Sequence, residues 1–196
     1  MVRSVGRLVT TDGSLRIVGR AALAGAAFGF GAGVFARLAM RFLFILNPHT
    51  EGIIVGEQFP VGGFTAQGTT LILIMALVLG TIAGTIYGLA RPALPRHSLL
   101  SGLIFGGWLV ATFLGFLVEG ENRDFALFGP FALAAGLFAF LFVAFGVGLG
   151  VAVERSGPTE EWQHAGKVRA VITWAILSLS ALAGTILLIQ EVTART

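Results

Sequence analysis

Apolar runs of about 20 residues alternate along the chain with short segments that gather most of the charges and prolines. Five such runs fall at about residues 21–46, 70–90, 99–118, 130–153 and 170–190. At roughly 1.5 Å rise per residue, each is long enough to cross a hydrocarbon core of about 30 Å as a helix. The pattern predicts an all-α integral membrane bundle of five transmembrane helices, forming a single domain over residues 1–196. A cleaved signal peptide has a shorter apolar core and a soluble mature chain behind it, whereas four further apolar runs follow Leu46.

An odd number of spans puts the termini on opposite sides, and the basic residues choose the orientation. With the N-terminus cytoplasmic, the inner segments hold Arg3, Arg7, Arg16, Arg20, Arg91, Arg96, Arg155, Lys167 and Arg169, and the outer ones only Arg123 and Arg195. The expected topology is therefore N-terminus inside and C-terminus outside. Twelve arginines to one lysine point to a GC-rich bacterial genome, and hence to a multi-pass protein of the bacterial cytoplasmic (inner) membrane.

Composition narrows the function classes. The chain is 56% apolar and 12% charged, where soluble domains carry about a quarter charged residues. Five spans in 196 residues leave no room for a separate extramembrane catalytic domain. The absence of cysteine excludes disulfides, thiolate metal sites and cysteine nucleophiles. The net charge of +3 is spread along the chain and sorts by membrane side, so it signals topology and not a nucleic-acid surface.

The 47–69 connection is the longest outer loop. Its apolar residues Ile53, Ile54, Val55, Phe59, Val61 and Phe64 are interrupted by glycine and proline, which suits a short hairpin or an interfacial segment. It reads as an ordered cap over the bundle, with a gating lid as the alternative. The first twenty residues read equally as a short helix resting on anionic lipid or as a frayed terminus.

Small residues recur at intervals of four: Ala21, Gly25, Gly29 and Gly33 in the first span, and Ala76, Gly80, Gly84 and Gly88 in the second. Shorter versions are Gly102 with Gly106, Gly146 with Gly150, and Ser180 with Gly184. Lipid supplies no hydrophobic force between helices, so association depends on close backbone approach, which small side chains permit. Glycine-zipper packing of spans one and two is expected, and the surplus of small faces favours a homo-oligomer or a larger membrane complex. A crevice lined by these glycines is the functional alternative.

Arg37 and Arg41 stand four apart on one face, in the outer third of span one. A charge at mid-membrane costs about 2.5–3.5 kcal/mol on insertion scales, so a partner or water is required. Candidate ion-pair partners at the outer edge are Glu119, Glu121 and Asp124, with Glu51 and Glu57 in the long loop. A salt bridge, most simply to Glu119, would pin span one to span three. Alternatively, the two guanidinium forks form a ligand-binding site for a phosphate or carboxylate.

The remaining inventory offers little chemistry. His49, His97 and His164 lie outside the spans, so a mid-membrane haem lacks axial ligands. His49 and Glu51 alone do not make a zinc site. Ser98, Ser101, Ser178 and Ser180 have no base at matched depth. Tyr87, Trp108 and Trp174 fit aromatic-belt roles, and Phe138, Phe142 and Phe145 form a lipid-facing or packing stripe. No catalytic residue, metal or cofactor is expected.

With Gly33-Val-Phe-Ala-Arg37-Leu-Ala-Met-Arg41, Gly68-Thr-Thr, Tyr87-Gly88, Arg91, Pro95 and Gly102, the first 110 or so residues resemble a loose group of uncharacterised polytopic bacterial membrane proteins. The resemblance implies a multi-pass topology and transfers no activity. Gly29, Gly33 and Arg37 with Gly106-Gly107 also look like positions in small dual-topology fluoride channels. However, Leu73, Ile74 and Trp108-Leu109-Val110 stand where an anion path needs polar donors. The expected function is that of a non-catalytic subunit of a membrane assembly, the alternative being a small anion or lipid-phosphate transporter or channel using Arg37 and Arg41.

Overall fold

The computed structural model describes residues 5–46, 54–55, 59–60, 65–118, 131–155 and 167–194. These contain five α-helices: α1 (Val5–Leu46), α2 (Ala66–Ala90), α3 (Ser98–Val118), α4 (Phe131–Arg155) and α5 (Lys167–Ala194). In the long loop, β1 (Ile54–Val55) pairs antiparallel with β2 (Phe59–Pro60). Four stretches are long and apolar enough to cross a membrane: Leu15–Leu46, Ala66–Ala93, Ala132–Arg155 and Val171–Gln190. The protein is thus a multi-pass helical membrane protein. Helix α3 runs 21 residues from Ser98 to Val118 and is apolar over Ser98–Leu114.

Helix α1 is longer than the apolar run that announces it, since it continues through the basic N-terminal segment without a break. Local chemistry sets the ends of α2. Thr65, in extended conformation, caps its N-terminus by accepting from the Gly68 N–H at 3.2 Å. At the other end Pro92 tightens the chain into a 3₁₀ turn over Arg91–Ala93. Leu94, which precedes Pro95, is then extended, as the proline ring requires of the residue before it.

Helix α1 lies against both α2 and α4, and α3 lies against both α4 and α5. Two buried clusters occupy opposite ends of the bundle. One gathers Tyr87, Ala90, Leu94, Phe105, Leu149, Val153 and Leu177 near the α2–α3 turn. The other gathers Leu43, Leu114, Ala134 and Phe138 near the opposite, loop end. Outward-facing positions are apolar, among them Leu23, Leu79, Phe140, Ile176 and Leu179, each more than half exposed. This is the surface of a bundle solvated by lipid.

At the contacts between helices the backbones approach closely. A methyl group on Gly29 would meet the Ala76 carbonyl oxygen and lie 2.8 Å from Gly80 Cα. One on Gly25 would lie 2.7 Å from Gly84 Cα, and one on Gly84 would reach the Ala21 carbonyl oxygen. Gly33 abuts Ala76 and Leu73, and Gly88 abuts Val18 and Ala21. Between α3 and α4, Gly102 and Gly106 face Gly146, Gly150 and Val143 in the same manner. Gly184 of α5 sits on the Ala111 and Thr112 carbonyls of α3.

Candidate functional site

The two arginines singled out by sequence lie at the loop end of α1, on the continuation of its small-residue stripe. One turn beyond Gly33, which touches Leu73, Arg37 meets Thr69 of α2, its Nε donating to Thr69 Oγ1 at 3.3 Å. Arg37 is half-buried and Arg41 exposed. The Arg41 guanidinium carbon lies 5.2 Å from the centre of the Phe44 ring, a cation–π contact within α1. The α1–α2 seam therefore changes character along its length, from glycine on glycine to guanidinium on hydroxyl. The carboxylates proposed as partners, Glu119, Glu121 and Asp124, and the loop residues His49, Glu51 and Glu57, lie outside the described residues.

A second polar cluster occupies the turn end. Arg91 is 3% exposed and uses both terminal nitrogens. Nη1 donates to the Pro95 carbonyl at 2.7 Å, while Nη2 donates to the Arg96 carbonyl at 3.0 Å and to Glu154 Oε1 at 2.6 Å. One side chain thus closes the α2–α3 turn on itself and ties it to the end of α4. The fork of a guanidinium suits this task, because its donors diverge in a fixed plane. One α2 turn away, the Tyr87 hydroxyl is 2.8 Å from Ser101 Oγ, and Ser101 also donates to the Ser98 carbonyl at 3.0 Å. Tyr87 is fully buried and meets Phe105 edge-on at 5.1 Å.

These positions revise the readings of Tyr87 and Arg91 and give two tryptophans hydrogen-bond partners. Tyr87 is a core residue with a satisfied hydroxyl and not an interfacial aromatic. Trp108 and Trp174 bond to neighbouring elements: Trp108 Nε1 donates to Ser180 Oγ of α5 at 2.9 Å, and Trp174 Nε1 to the Ala93 carbonyl at 3.0 Å. Arg91, counted only as a topology charge, is buried in an ion pair with Glu154. A fourth span ending at Val153 stops one residue short of that carboxylate. The available signal was an arginine at a helix end followed by two prolines three apart, a turn whose carbonyls need a donor the prolines lack.

The Trp108–Ser180 bond joins α3 to α5 beside the Gly184 contact. Ser180→Ala leaves the indole N–H without its acceptor, and is expected to cost about 0.6 kcal/mol and no more than about 1.7, the average and the maximum for interhelical hydrogen bonds in membranes. Trp108→Phe in the same background should add little if the bond is the shared element. Thermal unfolding of the single and double variants measures the coupling.

No protein-family model matches the chain, and neither the curated proteins nor the solved structures compared with it show a significant match.

Proposed function

We propose that the chain is a non-catalytic subunit of a membrane assembly, a homo-oligomer or a larger complex, in the bacterial cytoplasmic membrane. One observation carries the reading. Gly31, Gly107 and Gly136 sit in helix interiors with nothing within 4 Å of where a Cβ would stand. A glycine there costs about 1 kcal/mol of helix propensity relative to alanine, and among the described residues no contact inside one copy offsets it. A second helix packed from outside would, by the same close approach that the inner glycines make. Within one copy the polar side chains of Tyr87, Arg91, Trp108 and Trp174 each bond across to another element, which gives them structural roles.

Native mass spectrometry and crosslinking in lipid nanodiscs test the assembly. More than one copy, or a co-purifying membrane subunit, is expected; a lone monomer under gentle detergent overturns it. The accompanying topology is five spans with the turn end cytoplasmic and the C-terminus outside. Because the chain has no native cysteine, single replacements report sidedness directly. Arg96→Cys should be labelled only from the cytoplasm and Thr50→Cys only from outside, and reversed labelling refutes the orientation.

A second reading, a transporter or channel for a small anion or lipid phosphate, is favoured by one contact. The Arg37–Thr69 bond sets Arg37 beside the first turn of α2, with Arg41 one turn further along α1, which brings a cation to the positive end of a helix and keeps a second one near it.

A further inference from the structure

We propose that Arg37 and Arg41 hold the phosphate of an anionic phospholipid in the outer leaflet, with its acyl chains along the strip of α1 beneath them. The inference rests on the phosphate-binding reading of the two arginines and is independent of the subunit reading. Phe30, Val34, Arg37 and Arg41 are spaced by four, three and four residues, so they share one face of α1. Phe30 is 47% exposed, Val34 40%, and Leu23, a further two turns down the same face, 74%. The strip is therefore open to lipid along its length and changes from apolar to cationic at its outer end. Beneath Arg37 the apolar strip extends about 10 Å to Phe30 and about 21 Å to Leu23, which brackets the roughly 15 Å depth of one leaflet's hydrocarbon. An amphiphile with a negative head and one leaflet's length of chain matches that division.

The head end is arranged for a phosphate. The Nε bond to Thr69 Oγ1 fixes the plane of the Arg37 guanidinium, and Thr69, as acceptor, keeps a hydroxyl proton for a phosphate oxygen. Arg41 stands one turn further out, exposed, over the Phe44 ring. Each of the two forks can offer paired donors to one phosphate in exchange for the contacts it makes without a ligand. A soluble anion uses none of the strip, whereas the acyl chains of a phospholipid lie along its outer part.

The full-length protein in detergent is titrated with dioleoylphosphatidylglycerol, dioleoylphosphatidylcholine or inorganic phosphate, and bound adducts are followed by native mass spectrometry alongside Tm. Phosphatidylglycerol is expected to bind in preference to phosphatidylcholine. Arg41→Gln, at an exposed position, should weaken it about five-fold, as expected for one arginine near a membrane surface, while Arg96→Gln at the opposite end leaves it unchanged. If Arg41→Gln does not fold, Arg41→Lys replaces it; it keeps the charge but loses the fork, and reduced phosphatidylglycerol binding is again the expected result. Equal binding of the two lipids, or an undiminished affinity in the Arg41 variant, overturns the proposal. A rise in Tm with millimolar inorganic phosphate and no lipid selectivity overturns the lipid assignment and leaves a soluble-anion site. No response to either probe overturns the phosphate-binding reading as well.

Discussion

Replacing Arg91 with alanine is expected to lower stability by about 3 kcal/mol, near the lower end for breaking a buried ion pair. The lower end applies because the Glu154 side chain is 25% exposed and recovers part of its hydration. The loss has two sources. Glu154 keeps its charge without a partner, and the Pro95 and Arg96 carbonyls lose their donors in a turn where two prolines supply no N–H. Glu154→Gln separates the two, since the amide oxygen still accepts from Nη2 and both carbonyls stay capped; a loss of about 1–2 kcal/mol is expected, that of weakening a hydrogen bond to a charged group. The double exchange of Arg91→Glu with Glu154→Arg should restore little, because a carboxylate at position 91 meets carbonyl oxygens with no proton to offer. Thermal unfolding followed by circular dichroism reads all three variants. Full recovery in the exchange variant would show that charge pairing alone accounts for Arg91, and that the turn does not depend on it.

That cluster also marks where sequence reasoning stopped. Hydropathy and run length suffice for a multi-pass helical membrane protein, because in lipid every backbone polar group must be satisfied within its own helix, and 20 or so apolar residues leave few other choices. The run length does not locate the helix ends. Helix α1 extends through its polar N-terminal segment to Val5, and α4 carries Glu154 in its last turn. Intervals of four single out Gly25, Gly29, Gly80 and Gly84 as small positions, but which backbone each one meets is decided by how the helices assemble. The Arg91–Glu154 pair spans 63 positions, and a basic residue at a helix end already has an explanation in the positive-inside bias, so the arginine and its two prolines pointed to capped carbonyls and not to a distant carboxylate. Tyr87 was obscured in the same way. It lies seven residues after Gly80 and four before Arg91, on the face that α2 buries, and belt aromatics near span ends are common enough to hide that register.

Gly80→Val and Gly107→Val are expected to have opposite consequences, and the contrast separates packing within one copy from packing between copies. At Gly80 a Cβ would lie 2.6 Å from Gly29 Cα and closer still to the Gly25 carbonyl oxygen. Neither atom belongs to a flexible side chain, so α1 and α2 must move apart along the whole seam. Overpacking typically costs 1–3 kcal/mol, and the separation also removes the contacts at Gly25, Gly29 and Gly84, so a loss of roughly 3 kcal/mol and a clear fall in Tm are expected. At Gly107 a Cβ meets nothing within 4 Å, and the gain in helix propensity over glycine leaves the single-copy fold unchanged or slightly firmer. The association of copies should fall instead, read as a shift toward monomer in native mass spectrometry at constant Tm. A Gly80 variant as stable as the parent would mean that the α1–α2 seam tolerates a wider separation than its backbone contacts imply. A Gly107 variant that associates normally would remove that position from the interface and leave Gly31 and Gly136 to account for the assembly.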